Sequence, residues 1–311
     1  MKSSVNYNRT ILTQERTPGK LTVIRDNYKK YSIAYWFILP TLLYLAVFQV
    51  YPLFESIRLS FTNLNFLIPT SGEYVGFQNF KELLFNDPEF WGIVGKSLFW
   101  VLVSTVLQYL IAVPAALILN QSIRFRSLWR GLLMVPWVTP IVIMGLIWKW
   151  IYDGDYGLLN HYLGTDFVWL GDDRTVWLSV LLASTWKGFP YATLMILAGL
   201  QGIDRSLLEA ASIDGCSRFQ SFFRITLPLL KPVLAASAMI SIVITWTKFE
   251  MIWVLTGGGP GVSTSILPTY IYTKSFQYYD MGLGSAVAVL SMIVMLIFIA
   301  FYFKLLKKLQ D

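Results

Sequence analysis

The first pattern to stand out along the chain is where charge is missing. Residues 31–54, 97–123 and 281–303 carry no charged side chain, over windows as long as the roughly 20-residue helix that crosses a bilayer. A fourth apolar window, 131–148, is bounded by Arg130 and Lys149. Two more, 175–202 and 232–255, have the length but are interrupted by Lys187 and by Lys248 and Glu250. The pattern predicts six transmembrane helices. No small-residue cleavage site follows the first window, which comes after a polar stretch, so it is expected to remain as an anchor rather than act as a cleaved signal. Pro40, Pro52, Pro114, Pro136, Pro140 and Pro190 fall inside the windows. Membrane helices tolerate proline where neighbours satisfy the freed carbonyls, and the remaining reading is that some kinks act in a moving pathway. Gly284, Ser285, Ala286 and Ala288 in the last window allow close helix approach.

Composition agrees with lipid as the solvent for much of the chain. Of 311 residues 55% are hydrophobic and 14% charged, with a mean hydropathy of +0.55; so little polar surface excludes an ordinary soluble enzyme. One cysteine, Cys216, and one histidine, His161, exclude a disulfide framework and a zinc cluster, and no metal is expected. The formal net charge of +7 has no basic tract behind it, so no nucleic-acid partner is expected. Sorted by alternate loops, the excess becomes a topology signal: 17 basic residues fall on the side of the two termini and only Lys81, Arg174 and Lys274 in the opposite loops. The positive-inside rule then places both termini in the cytoplasm. Tyr and Trp gather at the predicted span ends, as interfacial rings do.

Catalytic motifs fail. The nearest approach to a phosphate-binding loop, Gly95-Lys96-Ser97, has Phe90 where the first glycine is needed and sits at the predicted outer mouth of the second span. Gly257-Gly258-Gly259-Pro260 lacks the lysine and is expected to be a flexible outer turn. Asp153, Asp155, Asp172 and Asp173 read as solvated loop charge, and His161 as an ordinary surface residue.

The segment between the fourth and fifth spans is more specific. Ser206 and Glu209 suit a capping box, Ala210 and Ala211 are strong helix formers, and Gly215 suits a left-handed stop. A second short helix carrying Phe219, Phe222 and Phe223 is expected to end at Leu227, ahead of Pro228. The string Glu209-Ala210-Ala211, then Asp214-Gly215, then Ile225-Thr226-Leu227-Pro228 resembles the E-A-A loop of the permeases of binding-protein-dependent ABC importers. The strings 74–80 and 255–260 are similar to the carbohydrate branch of that family, the maltose and glycerol-3-phosphate type. Leu208 and Cys216 depart from its usual residues, an aromatic and an alanine, without touching the docking logic.

The resemblance implies an all-α integral membrane protein with a six-helix type I importer permease core and cytoplasmic termini, in a bacterial or archaeal cell membrane. Its expected divisions are a cytoplasmic tail (1–30), the first span with its outer loop (31–90), a core (91–304) containing the coupling loop (204–232), and a short cytoplasmic tail (305–311). It implies three kinds of partner besides the bilayer: a second, related permease, two cytosolic ATPase subunits or a homodimer of one, and an extracytoplasmic solute-binding protein. ATP and Mg would be bound by the ATPase subunits, with no cofactor and no ATPase site in this chain. Glu209, Ala210, Ala211, Asp214 and Gly215, with Leu227 and Pro228 fixing the exit, are the residues it assigns to coupling.

Polar groups at membrane depth default to a bundle interior or a wet cavity. The candidate pathway residues are Gln108 beside Ser104, Trp137, then Ser184, Trp186, Lys187 and Tyr191 around Gly188, then Ser241, Thr245, Trp246, Lys248 and Glu250 below Ser237. The cargo expected is a sugar or oligosaccharide. An anionic derivative, such as glycerol-3-phosphate or a uronide, is the alternative that Lys187 and Lys248 raise. An ion-coupled secondary transporter is the alternative of another class; it calls for an inverted repeat, and the two halves show none.

Overall fold

A computed structural model describes residues 20–310, with side chains from 31 to 307. Most of the expected N-terminal tail, residues 1–19, and Asp311 lie outside the described residues. The helices are, in order, α1 (Lys20–Leu45), α2 (Tyr51–Leu59), α3 (Gln78–Lys81), α4 (Phe90–Asn120), α5 (Arg126–Val138), α6 (Ile141–Ile151), α7 (Leu158–Leu163), α8 (Val176–Gln201), α9 (Arg205–Ile213), α10 (Arg218–Ser221), α11 (Leu227–Trp246), α12 (Phe249–Thr256), α13 (Leu267–Tyr272) and α14 (Met281–Gln310). Among the described residues the only extended pairings are two isolated bridges, Thr62 with Tyr74 and Asn65 with Asp280. Residues 1–55 and 56–311 form two compact units.

The first unit holds α1, a π turn over Ala46–Val50 and the start of α2. Its helix begins at Lys20, well before the apolar window, because nothing between Leu21 and Lys30 breaks a helix.

Among the described residues five helices are long and apolar enough to cross a membrane, six spans if a bent pair is taken as one, and two of the six expected windows differ from expectation. The third, expected over 131–148, is two helices, α5 and α6, meeting at 89°. Thr139, the residue before Pro140, is driven to an extended ψ of 127° by the clash that proline imposes on its predecessor. The fifth, expected over 232–255, instead runs from Arg218 to Trp246. It ends before Thr247 and Lys248, and α12 then carries Glu250 in its first turn. The expected helix end at Leu227 does not occur: Leu227 is helical, and its N–H donates to the Phe222 carbonyl across a π turn, Phe222–Thr226. The wider turn lets the chain pass Pro228, which has no N–H to give and a ring that crowds the preceding turn. The π turns Ala46–Val50 and Glu82–Asn86 stand in the same place before Pro52 and Pro88.

The core of the second unit is the pair α4 and α8, which run side by side in the same direction. Phe99 meets Trp177 edge-on at 5.1 Å near their starts, and Ala112, Ala116 and Leu119 pack with Ala192, Ile196 and Leu200 near their ends. Midway, a Cβ at Gly188 would sit 2.3 Å from the Gln108 amide carbon, so only glycine admits that side chain. α14 closes against the segment after α2: Gly282 donates to the Leu64 carbonyl, and a Cβ there would lie 2.1 Å from the Thr62 carbonyl oxygen. Asn79 holds the same segment, donating to the carbonyls of Ser60 (2.9 Å) and Thr62 (2.8 Å). Gly284, from the expected small-residue run, faces Ser275 where a Cβ would not fit.

Candidate functional site

Two places gather the candidate residues. The first is the turn between the fourth and fifth spans. Asp204, not Ser206, caps α9, accepting the Ser206 N–H at 3.0 Å. The bonds from Ser206 hold the Asp204 carboxyl below its usual range. The helix ends in a Schellman motif: the Cys216 N–H donates to the Ala211 carbonyl (2.9 Å) and the Gly215 N–H to that of Ser212 (3.2 Å), with Gly215 at φ +78°. A capping box, missed in the sequence although Ser217-x-x-Gln220 spells it, starts α10: each residue's N–H donates to the other's side chain.

This geometry sorts the expected coupling residues. Glu209, Ala210, Asp214, Gly215 and Pro228 are exposed, Leu227 is half-buried and Ala211 is buried against its own chain. The Glu209 carboxylate makes no hydrogen bond or ion pair among the described residues. Around it Leu207, Phe219, Phe223 and Ile213, which is 87% exposed, form an apolar surface at the tip of the turn. Cys216 lies beneath, lining a cavity of about 800 Å³ with Leu208, Phe222 and, from α4, Val113 and Leu117.

The second place surrounds the break in the third span. The Lys187 ammonium, from α8, donates to the carbonyls of Pro136 (3.1 Å), Trp137 (2.7 Å) and Thr139. Trp137, 48% exposed, stacks on Tyr191 with ring centres 6.3 Å apart. Trp186 meets Trp148 of α6 at 6.0 Å, and Lys248 lies near enough to Lys187 and Glu250 to feel both charges. Glu250 itself is exposed. The structure thus brings Trp137, Trp186, Lys187, Tyr191, Lys248 and Glu250 around the break.

The other candidates are interior. Gln108, Ser184, Ser241, Thr245 and Trp246 are all buried; Ser241 faces the Tyr109 hydroxyl (3.4 Å), and the Trp246 indole donates to Ser291 of α14 (3.2 Å). Ser241 and Trp246 thus join helices, whereas Gln108 Nε2 and Ser184 Oγ have no hydrogen-bond partner among the described residues.

Around the opposite end of the bundle from α9 the loops are pinned. The glycine turn, expected to be flexible, has Gly257, Gly258 and Gly261 in left-handed conformations and is tied by Thr264 to the Gly259 carbonyl (2.7 Å). Lys96 donates to the Val262 carbonyl (2.6 Å), Trp177 to that of Ser263 (3.0 Å), and Ser263 to Asp173. Asp87 caps α4, accepts from the Tyr270 hydroxyl and pairs with Lys274 at 3.4 Å. No cluster of metal-ligating side chains occurs among the described residues.

A bundle of apolar helices with one broken span, an exposed helical turn at one end and pinned loops at the other is the architecture of a multi-pass membrane protein. Residues 108–311 match the family described as binding-protein-dependent transport system inner membrane component, and the chain belongs to that family. It is 36% identical to the trehalose/maltose transport system permease protein MalF of Thermococcus litoralis, over 89% of this chain and 94% of that one. It is 33% identical to the sulfoquinovosyl glycerol transport system permease protein SmoG of Agrobacterium fabrum, over 88% and 90%. Its fold is that of a bacterial ABC transporter involved in import of the acidic polysaccharide alginate, with a TM-score of 0.79 at 21% identity, covering 93% of this chain and all of that one. The chain is therefore a permease subunit of an ABC importer, a membrane transport component, and the ion-coupled alternative is not favoured.

Proposed function

We propose that this permease carries a sugar or oligosaccharide, handed to it by an extracytoplasmic binding protein and driven by two ATPase subunits on the side of α9. Residues 91–304 form its core, a second related permease completes the pathway, and both termini are cytoplasmic. The observation that carries the coupling reading is the exposed α9 tip, where the Glu209 carboxylate, Ala210 and an apolar rim are open to a partner. Such a knob suits a cleft in a partner, with Glu209 set for an ion pair and Ala210 for close approach. The cargo reading is supported by the relatives' names, which specify trehalose, maltose and a sulfoquinovosyl glycerol. Nucleotide and loaded binding protein would each select one arrangement of the two permeases.

Around the third-span break, irregular backbone at membrane depth is tolerated only where it is buried in protein or borders water. Trp137 and Glu250 stand exposed beside it, which supports that face as the pathway wall, with the Trp137–Tyr191 pair as an aromatic surface for sugar rings. Affinity purification through this chain from native membranes should bring down an ATPase and a second permease. The reconstituted assembly should hydrolyse ATP faster with binding protein loaded with trehalose or maltose. Uptake by this chain alone in vesicles lacking ATP would overturn the reading.

A further inference from the structure

The break in the third span leaves a specific set of carbonyls without backbone donors. Pro140 has no N–H to return to the Pro136 carbonyl four residues back, and the 89° bend carries the next amides of α6 away from Trp137 and Thr139. The Val135 carbonyl is already served, by the Thr139 N–H (3.1 Å) and hydroxyl (2.7 Å). The carbonyls of Pro136, Trp137, Val138 and Thr139 are then left, and Lys187 reaches three of these four from α8. An ammonium has three N–H donors and a compact charge, and it meets the negative end of the α5 dipole. Its three donors meet three of the four, and direction and charge match as well.

We infer that Lys187 is a positioning residue: its ammonium caps the broken end of α5, holds the bend between α5 and α6, and so keeps Trp137 stacked on Tyr191, rather than contacting cargo itself. Lys187 and Pro140 are then a matched couple, the lysine being required because the proline is there. A cation in this place needs no anionic cargo to account for it. The uptake arm of the following test rests on the sugar-import reading above; the distance arm does not.

The test uses the full assembled transporter in a Cys216→Ser background, since Cys216 is a free thiol. Spin labels at Leu132 of α5 and Ile147 of α6, both exposed, report the bend by pulsed dipolar spectroscopy. With lysine present the distance distribution should be single and narrow. Lys187→Met should broaden it and lower the maximal uptake rate of trehalose or maltose by about tenfold, as expected when three carbonyls at a helix break lose a charged donor, with half-saturation unchanged. Lys187→Arg should recover part of both, because a planar fork cannot serve three converging carbonyls equally. Pro140→Ala restores an N–H opposite Pro136, so adding Lys187→Met to it should cost less than in the parent.

An unchanged distance distribution in Lys187→Met would sink the cap. So would a rise in half-saturation with the maximal rate kept, which is the signature of a cargo contact. If even the parent transports no sugar, the cargo reading fails while the distance arm still decides the role of Lys187.

Discussion

Gly215 and Asp87 show how single residues set the two ends of this bundle. At φ +78° Gly215 occupies a region where a side chain meets the following carbonyl, at a cost of about 1 kcal/mol. Gly215→Val should therefore relax the Schellman turn, re-aim the α9 tip and lower ATP-dependent uptake while the spans stay folded, measurable as transport loss with little change in thermal unfolding. At the other end, burial alone would raise the Asp87 carboxyl, but the bond from Tyr270, the Glu89 N–H and the Lys274 charge together hold it below its ordinary value of 3.8. Burial and that carboxylate in turn push the Tyr270 phenol upward, so it stays a donor. A carboxyl depressed in the folded state contributes stability that is fully present above its unfolded value and disappears as pH falls through the lower folded one. Thermal unfolding of Asp87→Asn should accordingly be lower than the parent's at neutral pH and converge with it below about pH 4; parallel curves across that range would contradict the assignment. Gly215 was legible in the sequence because only one residue type fits its place. The partnership of Lys187 with carbonyls 48 to 51 residues away was not, because no local pattern encodes which helix will lie beside a break.

At the scale of elements, the same rule succeeded at one proline and failed at another. Thr139 leaves the helical region before Pro140, yet Leu227 stays helical before Pro228 because a π turn widens the helix just ahead of it. A proline two residues on follows three of the π turns, but proline alone reads as a helix stop, so the fifth span's true start at Arg218 was hidden, and with it the continuity between the α9–α10 turn and that span. That continuity makes α9 a short arm on a long lever. The resemblance treated Ala210 and Ala211 alike, but only Ala210 faces outward. Glu209→Lys should leave the melting temperature near the parent's and reduce both assembly with the ATPase and uptake. Ala211→Trp should instead destabilise the turn itself, since a buried alanine offers no room for an indole. Equal melting temperatures for the two variants would remove the distinction drawn between an outward and an inward alanine.

For the whole molecule, the six windows were legible because bilayer thickness leaves little freedom in helix length, while the breaks inside them depend on packing between helices. Charge sorting proposes a sidedness, and that proposal carries a prediction that the packing does not. Under the proposed orientation, in which the side carrying 17 basic residues is cytoplasmic by the positive-inside rule, the α9 turn would face the cytoplasm and the α6–α8 connection the outside. Ile213 and Tyr156 sit at these two places and are 87% and 84% exposed. In the Cys216→Ser background, a cysteine at Tyr156 should react with a membrane-impermeant maleimide in right-side-out vesicles. A cysteine at Ile213 should react only when the vesicles are inverted. The reverse order would turn the molecule over, move Glu209 to the face away from ATP, and transfer any coupling role to the loops that Asp87 and the glycine turn now pin. Both residues are nearly fully exposed, so reactivity reports side rather than burial. Labelling from the cytoplasmic side only, blocked at Ile213 by the assembled ATPase and restored by stripping it, would place the docking knob and the energy source on the same side of the membrane in one measurement.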